Sequence, residues 1–202
     1  MTDAAAVVRD GYDRIGAGYH ARSADKPLRI EFTERLRDRL PAGSTVLELG
    51  CGPGDPTARL LSERHRVVAV DLSPGQLALA RRHAPAAALV EADMTRLAVR
   101  PGSVDAIASF FAFGHLPSAA HAPLLGSFGR WLRPGGVFVG NAPLTPGEDV
   151  DEWLGVPMFF GGIGVDATLA ALRDGGLVVE SAAELSDEPG ETFLWIVASR
   201  PC

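Results

Sequence analysis

Apolar and polar positions along this chain change period several times. Residues 3–15 place Val8, Tyr12 and Ile15 at helical spacing, continued by Tyr19, and residues 27–40 do the same through Leu28, Phe32, Leu36 and Leu40 until Pro41-Ala42-Gly43 stops them. Two helices are therefore predicted ahead of the first strand. Apolar runs of strand length then fall at 45–49, 66–70, 87–91, 104–110 and 137–141. Between them stand helix signals. Asp55 is a candidate N-cap with Pro56 at the first helical position of a helix to about Glu63. Ser73-Pro74-Gly75-Gln76 reads as a capping box opening a helix to about His83, and a further helix is predicted over Pro117–Trp131. Repeated strand–helix alternation predicts a parallel sheet with helices on both faces. After Asn141 the pattern breaks. Pro143 to Val150 reads as loop, Trp153 to Ile163 as an apolar, glycine-rich insertion, and Asp166 to Arg173 as a helix closed by Gly175-Gly176. Two last strands, Leu177–Ala183 and Thr192–Ala198, are joined by an acidic turn, Asp187-Glu188-Pro189-Gly190.

The chemistry concentrates where the first strands end. Val46-Leu47-Glu48-Leu49 runs into Gly50, Gly52 and Gly54, and Val67-Val68-Ala69-Val70 ends on Asp71, 17 residues past the last glycine. Glycine allows φ > 0 and carries no Cβ, so such a turn can lie against a ligand with bare backbone. A carboxylate at the tip of the next parallel strand accepts hydrogen bonds from a pair of ribose hydroxyls. A nucleoside-containing cofactor is the reading. A dinucleotide fingerprint is G-x-G-x-x-G with the pyrophosphate at a helix N-terminus. Here the spacing is G-x-G-x-G, and Glu48 would repel a pyrophosphate and suit an ammonium. That sets a nicotinamide-dependent oxidoreductase aside.

The segment resembles motif I (E/D-x-G-x-G-x-G) of the class I S-adenosylmethionine-dependent methyltransferases. Asp71 matches that family's ribose-binding acid, Glu91-Ala92-Asp93-Met94 its adenine-side motif, and Leu132-Arg133-Pro134-Gly135-Gly136-Val137-Phe138 its turn before the fifth strand. The likeness is close over about residues 40–142. It implies a Rossmann-like α/β fold: a seven-stranded, mostly parallel sheet with helices on both faces and an antiparallel last strand. It also implies one methyltransferase domain over 1–202, with residues 1–40 as a helical lid, 143–165 as an acceptor-side insertion, and S-adenosyl-L-methionine as cofactor. On this resemblance Tyr19, Glu48, Gly50, Cys51, Gly52, Gly54, Asp71, Leu72, Asp93, Met94 and Ser109 are cofactor-binding candidates. Asp93 also reads as a helix cap, and Glu48 as a brace for the loop. The opening Tyr12-Asp13-Arg14-Ile15-Gly16-Ala17-Gly18-Tyr19 resembles the family's lid sequence.

Methyl transfer asks the protein for orientation and, with a poor nucleophile, a general base. His115 and His20 are the candidate bases, since an unperturbed histidine titrates near neutral pH. Each can equally be a packing or capping residue, while His65, His83 and His121 read as helix-surface residues. Tyr12, Phe111, Phe113, Trp153, Met158 and Phe159 are substrate-binding candidates against plain core. Ser109-Phe110-Phe111-Ala112 replaces the Asn/Asp-Pro-Pro-aromatic signature of nucleic-acid amino methyltransferases. The net charge of −6 and the single lysine, Lys26, point the same way, to a small-molecule acceptor rather than nucleic acid or an anionic membrane. No 18-residue apolar run and no basic stretch at Met1-Thr2-Asp3 are present, and the two cysteines, Cys51 and Cys202, suggest no disulfide. These lead to the expectation of a cytoplasmic protein without a metal site, as monomer or homodimer. A cofactor-binding protein of the same fold with no transfer activity is the rival reading.

Overall fold

The computed structural model describes residues 3–187 and 191–202; most of the predicted acidic turn, and Met1-Thr2, lie outside the described residues. Three helices come first: α1 (Ala4–Ile15), α2 (Ala17–Ser23) and α3 (Pro27–Arg39). The alternating core follows as β1 (Thr45–Leu49), α4 (Thr57–Ser62), β2 (Arg66–Asp71), α5 (Pro74–His83), β3 (Ala88–Glu91), β4 (Val104–Ser109), α6 (Ser118–Trp131) and β5 (Leu132–Ala142). A hairpin of β6 (Pro146–Trp153) and β7 (Val156–Ile163) is inserted before α7 (Val165–Asp174), β8 (Val178–Ser186) and β9 (Thr192–Ser199). The main sheet has seven strands in the order β3-β2-β1-β4-β5-β9-β8. β1 to β5 run parallel, and β9 lies antiparallel between β5 and β8. This is the expected Rossmann-like sheet with its antiparallel last strand.

Alternation along the strands divides the core between two faces. Leu47, Leu49 and Ile107 pack with Phe113, Phe128 and Phe138 under α6 and α7. Their neighbours Val46, Ala106 and Ala108 face the other way, against Phe32, Leu36 and Trp195. Reversal of strand order occurs beside β1, where β2 lies to one side and β4 to the other. Open α/β sheets bind ligands at that switch point, outside the carboxyl ends of the strands.

Local readings need correction in four places. Pro56, not Asp55, is the N-cap of α4, and the Asp55 carboxylate turns to His20 and Arg59 instead. Ser73 does cap α5 by accepting from the Gln76 amide. The Gln76 side chain, however, does not close a capping box but reaches α1. His65 and His121 are buried, each bonded to a backbone carbonyl, not surface residues. The predicted loop at 143–150 is largely the strand β6. Its residues Pro146–Glu152 are all exposed, so no apolar alternation announces it. Leu154 and Gly155, both at positive φ (51° and 77°), make the turn into β7. Asn-Gly usually fills such a two-residue turn, and Leu in its first place hides the signal. The hairpin is fixed by its other strand: Val156, Met158 and Phe159 pack against Ala4 and Val8 of α1.

Candidate active site

At the end of β1 the chain turns sharply because the Gly50 and Cys51 amides both donate to the Val70 carbonyl, at 2.9 and 3.0 Å. Gly50 and Gly52 sit at φ +72° and +55°. A Cβ on Gly50 would run into the Ala112 side chain, and one on Gly52 would come within 3.2 Å of the Tyr19 ring. Asp71 closes β2 beside them. Its Oδ2 accepts from the Gly52 amide at 2.7 Å and its Oδ1 from the Ser73 amide at 2.9 Å. Burial raises its pKa, and these amides oppose that rise. Each oxygen keeps a second lone-pair direction for a ligand.

These residues line a cavity of about 290 Å³. Gly50, Gly52, Asp71 and Leu72 form one wall and Ala92, Asp93, Met94 and Thr95 another. Phe110, Phe111 and Ala112 come from the end of β4, and Val8, Tyr12 and Tyr19 close it from α1 and α2. Asp93 also caps the turn at Met94–Arg96 through the Thr95 amide, 2.8 Å, so the two sequence readings of this residue are compatible. A buried carboxylate, bare loop backbone and apolar walls suit an adenosyl group carrying an amino-acid tail.

A second cavity of about 560 Å³ lies alongside. The hairpin lines it with Trp153, Phe160, Gly161 and Gly162, the last strand with Phe193, and α2 and its C-terminal end with Arg22 and Lys26. Four residues line both cavities: Tyr12, Tyr19, Phe111 and His115. Phe111 holds φ +58°, a strained conformation for a bulky residue, pinned by its amide donating to the buried Asn141 Oδ1 at 2.7 Å.

His115 stands at this junction with its protonation pattern fixed. Its Nδ1 lies 2.9 Å from the Phe159 carbonyl, which can only accept, so Nδ1 carries the hydrogen. Burial lowers its pKa, which keeps the ring neutral and leaves Nε2 as an acceptor. The Tyr12 hydroxyl, 2.8 Å away, therefore donates to Nε2. Burial raises the Tyr12 pKa well above its usual value.

Several predicted site residues lie elsewhere, each for a packing reason. His20 pairs with Asp55 at 3.0 Å and stacks on His83 at 4.2 Å, lining neither cavity. Glu48 is buried behind the loop, facing Arg29. Cys51 is fully buried against the sheet. Gly54 is backed onto Ala80 and Ala84 of α5, where there is no room for a Cβ. The Ser109 hydroxyl donates to the Leu49 carbonyl and is structural. Phe113 belongs to the core under α6. Met158 and Phe159 are the hairpin's anchor on α1, and Phe159 reaches the site only through its carbonyl. Among the described residues no cluster of His, Cys, Asp or Glu could hold a metal ion.

Sequence reasoning missed how α1 is fastened. Asp13 Oδ1 accepts from the Ser73 hydroxyl at 2.5 Å and the Gly75 amide at 2.9 Å. Gln76 Nε2 donates to the Tyr12 and Gly16 carbonyls, both at 3.1 Å. The first turn of α5 thus holds the far end of α1, right beside Asp71. Asp13→Ala removes two of these bonds at about 1 kcal/mol each. It is expected to speed ligand release from the first cavity about tenfold in stopped-flow measurements while lowering the melting temperature by roughly 4–8 °C; an unchanged off-rate would show that α1 is held by packing alone. The signal was the acid after Tyr12, which has no role in the helix itself.

A parallel sheet with this strand order, a glycine turn after β1 and an acid closing β2 define the class I methyltransferase architecture. The chain is similar in sequence and fold to S-adenosylmethionine-dependent methyltransferases of that class. A family described as a methyltransferase domain matches residues 46–136. The chain is 34% identical to a trans-aconitate 2-methyltransferase of Methylobacterium nodulans over 129 residues, 63% of this chain and 49% of that one. It is 32% identical to a ubiquinone biosynthesis O-methyltransferase of Nitrosococcus oceani, over 59% of this chain and 52% of that protein. The chain thus spans about half the length of these curated relatives. In fold it is similar to a Burkholderia thailandensis 1,6-didemethyltoxoflavin-N1-methyltransferase solved with S-adenosylhomocysteine, at TM-score 0.73 and 21% identity over 98% of this chain and 89% of that one. It also resembles an S-adenosylmethionine-dependent methyltransferase of Mesorhizobium loti, at TM-score 0.65 and 26% identity over 83% and 96%.

Proposed function

We propose that this chain transfers a methyl group from S-adenosyl-L-methionine to a small-molecule acceptor held in the second cavity. The observation that carries the reading is the shared wall: a nucleoside-sized cavity closed by Asp71 meets an aromatic cavity at Tyr12 and His115. Asp71 holds the ribose hydroxyls. Asp93 accepts from the adenine amine, with Leu72 and Met94 on the faces of the base. Gly50 and Gly52 give backbone to the amino-acid tail, and Tyr19 closes over it. When bound, the cofactor supplies an activated methyl group. His115 takes up the acceptor's proton at Nε2, its ring held by the Phe159 carbonyl. Tyr12, Phe111 and Trp153 seat the acceptor.

The net charge of −6 supports a small acceptor over nucleic acid. No helix among the described residues is long and apolar enough to cross a membrane. Both cysteines are free, which supports a cytoplasmic setting. The monomer or homodimer is the proposed form. Isothermal titration with S-adenosylhomocysteine tests the reading, and absence of binding overturns it. Binding without homocysteine-product formation over a broad acceptor panel would favour a non-transferring role, which the occupied Nε2 of His115 makes worth testing.

A further inference from the structure

Resting on the methyl-transfer reading, we propose that the second cavity takes a flat aromatic acceptor whose reacting group is a ring hydroxyl, and that Tyr12 relays its proton to His115. The chemistry of the walls selects the class. Tyr12, Tyr19, Trp153 and Phe160 form one continuous aromatic surface with His115, ring centroids 5.0–6.4 Å apart. Phe111 and Phe193 add an edge-on pair at 5.1 Å. Such surface binds flat rings by offset and edge-to-face contact. The volume is that of a small-molecule site.

The charged groups lining this cavity are already engaged with one another or with backbone. Glu191 pairs with Lys26 at 2.5 Å and with Arg22. Glu148 accepts from the Ser118 amide at 2.6 Å, and Asp149 from the Val150 amide at 2.8 Å. Lys26 additionally lies over the Phe111 ring at 5.2 Å. Neither a carboxylate nor an ammonium on the acceptor meets a dedicated counter-charge, so a neutral ring is the better occupant.

The Tyr12–His115 bond selects the reacting group. Tyr12 Oη donates to Nε2 and keeps lone pairs for a hydrogen bond from the acceptor. A ring hydroxyl is a phenol like the tyrosine side chain, with an ordinary pKa of about 10, and burial holds Tyr12 well above that value. Its proton therefore passes to Tyr12 Oη only as the Tyr12 proton passes to Nε2 in the same step, so that no free tyrosinate forms. A saturated alcohol is far too weak an acid for that exchange, and a carboxylic acid arrives ionised and needs none. In the balanced reaction the acceptor O–H bond breaks and an O–CH3 bond forms from the oxygen pair. The cofactor's S–CH3 bond breaks with its pair left on sulfur, and His115 carries the proton until water removes it. The groups facing this exchange are Tyr12, Tyr19 and His115 at the junction, Asp71 at the end of β2, Arg29 on α3, Glu148 and Asp149 on the hairpin, Arg22 and Lys26 on and after α2, and Glu191.

The test uses 4-nitrophenol, whose phenolate is coloured, with the whole chain and no cofactor. Saturable binding is expected by quenching of tryptophan fluorescence and by calorimetry, with nitrobenzene and cyclohexanol each at least tenfold weaker. Trp153→Ala and the milder Phe160→Leu weaken it about tenfold and threefold, from lost ring contacts. His115→Gln, which can accept a hydrogen bond but takes up no proton, moves the appearance of bound phenolate to higher pH; Tyr12→Phe does the same. Equal binding of cyclohexanol or of benzylamine, or a phenolate onset identical in wild type, His115→Gln and Tyr12→Phe, overturns the proposal. With S-adenosylmethionine added, ring hydroxyls in a mixed panel become methyl ethers. Methylation of benzoates or amines instead overturns the acceptor class yet leaves methyl transfer standing. Failure to bind S-adenosylhomocysteine sinks only the underlying reading, since phenol binding is measured without it.

Discussion

Replacing Asp71 by Ala weakens S-adenosylhomocysteine binding by roughly a hundredfold to twenty-thousandfold in isothermal titration. The size follows from what the carboxylate has left to give. Its two oxygens accept from the Gly52 and Ser73 amides, and the residue lines the first cavity. Two ribose hydroxyls bonding to a charged acceptor contribute about 1.5–3 kcal/mol each, and every 1.4 kcal/mol is about tenfold. Stability moves in a different way. The substitution frees two amides but also removes a buried carboxylate whose pKa is raised by desolvation. These oppose each other, so the melting temperature shifts by no more than a few degrees. Asp71→Asn keeps one carbonyl acceptor and is expected to fall between Ala and wild type. Equal affinity of wild type and Asp71→Ala, with both folded, would show that the ligand does not reach this strand end.

How far the site was legible depended on whether its cause was local. The glycine turn, the acid after four apolar residues and the α/β alternation are local patterns, and the sheet follows from them because parallel strands need crossovers. His115 was legible as a histidine near the end of the fourth strand, but its tautomer comes from Phe159, 44 residues along the chain. Ser109, Phe113, Met158 and Phe159 read as ligand contacts in the sequence, yet each is taken up by the core: Ser109 bonds the Leu49 carbonyl, Phe113 packs under α6, and Met158 and Phe159 pack on α1. A residue's number along a strand does not reveal its face unless the register is known. The β6–β7 hairpin was illegible for the opposite reason: one of its strands is wholly solvated, so no hydrophobic periodicity records it. The contact between α1 and α5 crosses 60 residues of chain, and only the placement of Asp13 against the Ser73–Gln76 turn gives that acid a purpose.

Unfolding stability is expected to fall as pH rises from about 5 to 9, and Glu48→Gln is expected to remove most of that slope. Glu48 is fully buried at the end of β1, and its pKa is pushed up to about 8 by desolvation, opposed by Arg29 and reinforced by Asp71. Arg29 fails to win for a geometric reason. Its guanidinium is 3.7 Å from Glu48 Oε1, beyond a hydrogen bond, while its Nε donates to Thr57 Oγ1 at 2.9 Å. Glu48 Oε2 has no partner at all among the described residues. In the unfolded chain this carboxyl loses its proton near pH 4.3, whereas the folded protein keeps it until about 8. Between those values the folded state binds more protons, so stability is fully present below the lower one and is lost as pH rises through the upper one, by about 1.4 kcal/mol per pH unit at most. The ceiling is about 5 kcal/mol, and relaxation or water entry makes roughly 2–4 kcal/mol the expected decline in urea titrations. His115 has the opposite sign, because burial lowers its pKa, and its contribution ends near pH 6.5, where the unfolded residue titrates. The span from 6.5 to 8 is therefore free of the His115 contribution, and the Glu48→Gln comparison separates Glu48 from Asp71, whose pKa burial also raises. Glutamine keeps the shape and cannot ionise, so a slope unchanged in Glu48→Gln would mean that Arg29 holds Glu48 ionised and that α3 and β1 are joined by a buried ion pair instead of by a neutral acid.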